Sequence, residues 1–128
     1  MIISGAPQCP FPDAYLGPDM SGSALDTGLF TYVWVQFYNN PPCEYLSGDD
    51  SGLVSAWNQW TSNLSLSQVL LGLPASTAAA GSGYIDASSL VSTVLPAIQT
   101  TSNYGGVMLY SYYYDQMSGY GSSIKSSV

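Results

Sequence analysis

The sequence predicts an α/β chain built on a parallel sheet, and three observations carry that prediction. Strand-like apolar runs begin near residues 31, 68 and 106, at separations of 37 and 38 residues. Each gap holds a loop and a helical hydrophobic pattern, the alternation of a βαβ unit. The runs are apolar on both faces, as parallel strands covered by helices are. The period is structural, with no residue-level repeat beneath it.

Residues 2–6 (IISGA) are a short apolar run ended by Pro7 and read as a buried strand. Residues 9–28, rich in Pro, Gly, Asp and Ser, are expected to form a long loop. Residues 32–38 (YVWVQFY) are β-branched and aromatic, the strongest strand pattern in the chain, and Asn39-Asn40-Pro41-Pro42 stops it. Asp50-Ser51 is placed to cap a helix reaching about Asn63, with Leu53, Ala56, Trp57 and Trp60 on one face. Residues 69–73 (VLLGL) form the next strand, closed by Pro74. A second helix starts at Asp86 or Ser88 and carries Leu90, Val94 and Ile98 on one stripe. Pro96 lies inside it and should kink or shorten it. Residues 106–110 (GVMLY) make the last strand, and a short helix is expected from Ser122. Tyr112-Tyr113-Tyr114 reads as a loop wall.

Four β/α units at this spacing fit two architectures. One is a small doubly wound domain. The other is part of an eight-stranded β/α barrel, which takes about 250 residues. Periodicity leaves both open, and two details lean toward the barrel. No Gly-rich phosphate-binding turn follows a strand, as a nucleotide-binding sheet would show. Bulky polar residues stand at the C-terminal strand ends, where barrel active sites lie.

Composition removes several function classes. With 46% hydrophobic and 7% charged residues the chain is globular rather than disordered. Its longest apolar stretch, around residues 69–74, is too short to cross a bilayer. Lys125 is the only Lys or Arg against eight acids, for a net charge of −7. Nucleic-acid and anionic membrane partners need cationic surface and are set aside. Because there is no His, no Ser-His-Asp or Cys-His mechanism can operate within the chain. Asp13, Asp19 and Asp26 share one loop, but their spacing fits no calcium loop, and neither metal nor cofactor is expected.

Cys9 and Cys43 sit beside Pro-rich turns and read as loop residues, paired in a disulfide or left as two thiols. Asn63-Leu64-Ser65 is an acceptor sequon, meaningful in a secreted protein. Low Lys content with abundant Ser, Gly and Tyr points to the extracellular space. Met1-Ile2-Ile3 offers no cationic leader, so a signal peptide is expected upstream.

Alternation along the second strand puts Trp34, Gln36 and Tyr38 on one face and Val33, Val35 and Phe37 on the other. The wholly apolar set should meet the helices. The mixed set should point into a barrel, with Gln36 and Tyr38 nearest its mouth. The same logic groups Gly106, Met108 and Tyr110. Aromatic faces with amide and phenol groups suit a sugar. The plainer reading is a core of aromatics whose polar tips are satisfied. All eight acids fall in loops or at helix starts and read as caps or solvated groups. No Asp-x-Asp-x-Glu arrangement, the acid pair a glycosidase needs, stands on a strand.

Residues 6–13 (APQCPFPD) resemble the fifth-strand region of plant class III, hevamine-like chitinases of glycoside hydrolase family 18. Residues 32–43 (YVWVQFYNNPPC) are similar to their sixth strand and following loop. Residues 71–75 (LGLPA), 81–84 (GSGY) and 105–109 (GGVML) continue the likeness in order. The resemblance implies that residues 1–128 are the C-terminal half, strands five to eight, of a (β/α)8 barrel, a single incomplete catalytic domain. The motif Asp-x-x-Asp-x-Asp-x-Glu, with its general acid, would then lie upstream of Met1. The implied reaction is substrate-assisted retaining hydrolysis of β-1,4-linked N-acetylglucosamine polymers such as chitin, a plant-defence activity. Tyr38 corresponds to the residue that stabilises the acetamide as it becomes an oxazolinium ion. Gln36, Met108 and Tyr110 line the same subsite, and Cys9 and Cys43 form a disulfide. This chain departs from the pattern in carrying Tyr110 where the family has a Trp, and in a longer loop around Pro18-Asp19-Met20-Ser21-Gly22. The fold also includes lectin-like proteins and xylanase inhibitors. The isolated chain is expected to be inactive and to self-associate through its exposed sheet edges.

Overall fold

β-Branched and aromatic residues make Tyr32–Gln36 a central strand of the computed structural model, which describes residues 1–19 and 21–128. Four strands, β1 (Ser4–Gly5), β2 (Tyr32–Gln36), β3 (Gln68–Pro74) and β4 (Tyr104–Tyr110), pair in parallel in the order β1-β2-β3-β4. Each crossover steps the same way across the sheet, so the strand order never reverses.

Between β2 and β3 runs helix α1 (Ser51–Asn63), which buries Leu53, Ala56, Trp57 and Trp60 as its spacing predicts. Its N-terminus differs from expectation. Asp50 makes no side-chain cap; Asp49 Oδ1 instead accepts the Ser51 N–H at 2.9 Å. Between β3 and β4 lies a helical run made of α2 (Ala87–Ser89), a π-helical turn (Leu90–Val94) and α3 (Leu95–Ile98). Asp86 caps it by accepting the Ser89 N–H. Pro96 acts one turn upstream of itself. It has no N–H to continue the ladder, and the Leu95 N–H reaches back five residues to the Leu90 carbonyl. The turn thus widens without breaking, and Leu90, Val94 and Ile98 all stay buried.

Several boundaries move. The first strand shrinks to two residues, with Ile2 73% exposed, so it is an open edge and not a buried strand. The tyrosine run is helical: α4 (Tyr112–Ser118) follows β4 at once, and α5 begins at Tyr120 (Tyr120–Ile124), ahead of the expected Ser122. Met20, in the loop noted as long, lies outside the described residues.

One face of the sheet is dry. Val33, Val35, Phe37, Val69, Leu71 and Leu73 are all at 0% exposure, packed on Trp57, Trp60, Leu53, Leu90, Val94 and Ile98. A bulge between Val69 and Leu70 inserts Gly105 into β4 and shifts its alternation by one. Tyr104 therefore meets Trp57 on the helix side, and beyond the bulge Val107 and Leu109 pack against the core from the same face. Trp34, Leu70 and Met108 point to the opposite face, which none of the described helices covers, and they remain half-buried.

Candidate functional site

The open face is organised in layers set by the strand register. Trp34, Leu70 and Gly106 form one layer; Gln36, Gly72 and Met108 form the next. A side chain could not stand at position 72. A Cβ there would lie 2.5 Å from the Val35 carbonyl oxygen and 2.9 Å from Met108 Cε. Glycine lets Met108 lie across β3 toward Gln36. The last layer, at the C-terminal strand ends, holds Pro74 and Tyr110 with Tyr38.

Tyr38 and Tyr110 stack, with ring centroids 6.1 Å apart and an interplanar angle of 27°. Tyr38 is buried and Tyr110 is 49% exposed, so the pair presents one ring to solvent and one to the protein. Burial raises the Tyr38 phenol above its ordinary value, and the neighbouring Tyr110 adds to the rise. At neutral pH it is a hydrogen-bond donor. Gln36 is held by its own amide, whose Nε2 donates to the Ala6 carbonyl at 2.6 Å. The residues singled out in the sequence, Gln36, Tyr38, Met108 and Tyr110, therefore share one end of one face. They form a wall rather than an enclosed pocket. Three concavities of about 140, 280 and 160 Å³ lie elsewhere: beside Asn63, beside the disulfide, and around Pro10 to Tyr15.

Cys9 and Cys43 are bonded, with Cα atoms 5.9 Å apart. Both stand outside the strands and α-helices, as their Pro-rich neighbours suggest, but they are core residues all the same, 0% and 6% exposed. Trp60 Nε1 donates to the Cys9 carbonyl at 2.9 Å, which ties the disulfide to the interior of α1. Asn63 ends α1 exposed, at the opposite end of the sheet from Tyr38.

Two acids depart from the solvated reading. Asp13 is 7% exposed. Burial alone would raise its carboxyl, but the N–H groups of Leu16, Gln8 and Tyr15 outweigh this and hold it below its usual value. Glu44 is 1% exposed. A single Glu after a Pro-rich turn gives no periodicity from which burial can be read. None of the residues of the four strands is an acid, and what this wall offers a ligand is ring faces to stack on and amide and phenol groups to hydrogen-bond.

No family model matches this chain. An acidic endochitinase of Vitis vinifera is 58% identical over 128 residues, which is 100% of this chain and 41% of that protein. Along its whole length, this chain resembles the plant acidic endochitinases. It spans well under half of the relatives it matches. The ICChI chitinase of Ipomoea carnea superposes with a TM-score of 0.88 at 48% identity, covering 99% of this chain and 44% of that one. Two other similar structures carry different names. A xylanase and α-amylase inhibitor from Scadoxus multiflorus has a TM-score of 0.87 at 36% identity, over 98% of this chain and 44% of its own. A chitinase-like lectin of tamarind has 0.86 at 34%, over 95% and 43%. The endochitinase likeness thus extends to chains named for inhibition and for sugar binding.

Proposed function

We propose that residues 1–128 form the C-terminal half of a (β/α)8 barrel of glycoside hydrolase family 18, and that Tyr38 and Tyr110 are one wall of its chitin cleft. The observation that carries this reading is the Tyr38–Tyr110 stack at the C-terminal end of an uncovered parallel sheet. A strand order without reversal suits a barrel wall, whereas a doubly wound sheet binds where its order reverses. The substrate is a β-1,4-linked N-acetylglucosamine polymer. Its acetamide oxygen attacks the anomeric carbon and the bond to the leaving sugar breaks, with the leaving oxygen protonated by an acid of the other barrel half. Tyr38 donates its phenol proton in a hydrogen bond to the acetamide as charge develops there. Gln36 and Met108 line the same subsite, and Tyr110 stacks on the sugar.

The exposed position of Tyr110, in place of a larger indole, favours a second reading, a sugar-binding or inhibitory relative without turnover. Secretion with an upstream signal peptide and N-glycosylation of the exposed Asn63 belong to the main reading, and no described helix is long and apolar enough to cross a membrane. So does self-association of the isolated chain through β1 and β4, visible in sedimentation as dimers or larger species.

The test is hydrolysis of a chitooligosaccharide by this chain, by a barrel completed with the N-terminal part of the Vitis vinifera relative, and by that barrel carrying Tyr38→Phe. No turnover is expected from the chain alone. The completed barrel should turn over, and Tyr38→Phe should lower kcat by roughly 10- to 1,000-fold with little change in KM. An inactive completed barrel that still binds the oligosaccharide would favour the second reading. An unchanged kcat in the Tyr38→Phe barrel would place the site elsewhere.

A further inference from the structure

Tyr38 lies beyond the last residue of β2, and the last strand-type hydrogen bond before it runs from the Phe37 N–H to the Gly72 carbonyl. What fixes it is a polar network among three loops. The Tyr38 carbonyl accepts from Asn40 Nδ2 at 3.1 Å, and the same amide group donates to Gln8 Oε1 at 3.1 Å. The Asn39 N–H donates to the Ser82 carbonyl, and Asn39 Oδ1 accepts the Gly81 N–H at 2.7 Å. Gly83, at φ +88°, presses on the tyrosine itself: a Cβ there would lie 2.7 Å from Tyr38 Cα. The loop after β3 is therefore a floor beneath Tyr38, and its position sets the position of the tyrosine.

Glu44 joins the two loops. Its Oε2 accepts both the Asn40 N–H at 2.8 Å and the Ser82 hydroxyl at 3.1 Å. The side chain is buried, and its Oε1 is buried with no hydrogen-bond partner among the described residues. A carboxyl group so placed costs desolvation energy that these two bonds offset only in part. Core packing alone would be served as well by an apolar residue of similar volume. The bonded cysteine at position 43 fixes the backbone from which Glu44 reaches.

We infer that Glu44 is a positioning residue: its Oε2 locks the loop after β3 against the loop after β2 and so holds Tyr38 in register with Tyr110. The link from Glu44 to Tyr38 stands on geometry alone; its value to catalysis rests on the chitinase reading.

The experiment compares the 128-residue chain with Glu44→Gln and Glu44→Ala by tyrosine-ring NMR at neutral pH. Trp57 and Tyr104, with ring centroids 6.0 Å apart on the helix side and outside both loops, serve as an internal reference. In Glu44→Ala the cross-ring contact between Tyr38 and Tyr110 should be lost while that between Trp57 and Tyr104 persists. Glu44→Gln keeps an acceptor oxygen and should retain both. A residue that only stabilised the fold would move both pairs together, and that result overturns the proposal. So does an unmoved Tyr38 in Glu44→Ala, or a Glu44→Gln chain that loses the contact. If Glu44→Ala does not fold, Ser82→Ala cuts the same link from the other loop and should weaken the Tyr38–Tyr110 contact; an unmoved pair there also overturns it. In the completed barrel, Glu44→Ala should lower kcat by up to about 100-fold with Glu44→Gln near the parent. If Tyr38→Phe is silent in that barrel while Glu44→Ala still breaks the ring contact, the functional reading fails and the positioning link stands.

Discussion

The two faces of the sheet differ in completeness. On the helix side every inward residue of β2 and β3 is dry, and Trp57, Trp60 and the stripe Leu90, Val94 and Ile98 fill the space against them. On the other side Trp34, Leu70 and Met108 are only partly covered, and the polar and aromatic residues gather toward one end. The first face is explained by packing alone. The second combines apolar rings with hydrogen-bonding tips and is left without an opposing layer, which is the profile of a surface built to meet something else.

The largest expected effect separates the faces directly. Trp57→Ala removes a fully buried indole and its bond to Thr101, and should cost about 3–5 kcal/mol in urea denaturation. Met108→Ala, on the open face, should cost about 1 kcal/mol or less in the isolated chain. Equal losses at the two positions would break the comparison. Next comes the disulfide, whose residues are 34 apart in sequence. Replacing Cys9 and Cys43 by Ser should destabilise the chain by about 3–4 kcal/mol in the loop-entropy picture, and Ellman titration of the denatured, unreduced protein should find no free thiol. A smaller effect belongs to Asp13. Its lowered carboxyl contributes stability that is present above the ordinary value of 3.8 and is lost as pH falls through the lower folded value. The melting temperature should therefore drop on going from pH 5 to pH 2, and Asp13→Asn should flatten that limb.

The sequence exposed whatever depends on periodicity. The face of α1, the stripe of the second helix and the alternation along residues 32–38 all follow from regular spacing, and the structure keeps each of them. Features that depend on pairing across the chain were not legible. The bulge at Gly105 shifts the side chains of β4 by one because of where β3 pairs with it. The tyrosine run reads as a loop because no apolar stripe marks its helix, α4, which is tied instead to the next one: Asp115 Oδ1 within α4 accepts the N–H of Gly121 in α5 at 2.5 Å. Glu44 is the clearest case. Its burial follows from Asn40 and Ser82, 4 and 38 residues away, and no local pattern announces either partner. Strand alternation already groups Gln36 with Tyr38 and Met108 with Tyr110, and the strand register then brings the two pairs to one end of one face.

The central claim, that the open end of this sheet is a sugar-binding wall, is tested most directly by where a chitooligosaccharide touches it. In the completed barrel with labelled tyrosine rings, titration with chitotetraose should shift Tyr38 and Tyr110 in a saturable, concentration-dependent way. Tyr104, packed on Trp57 at the helix side, should stay fixed. Saturable binding that leaves Tyr38 and Tyr110 unmoved would contradict the account.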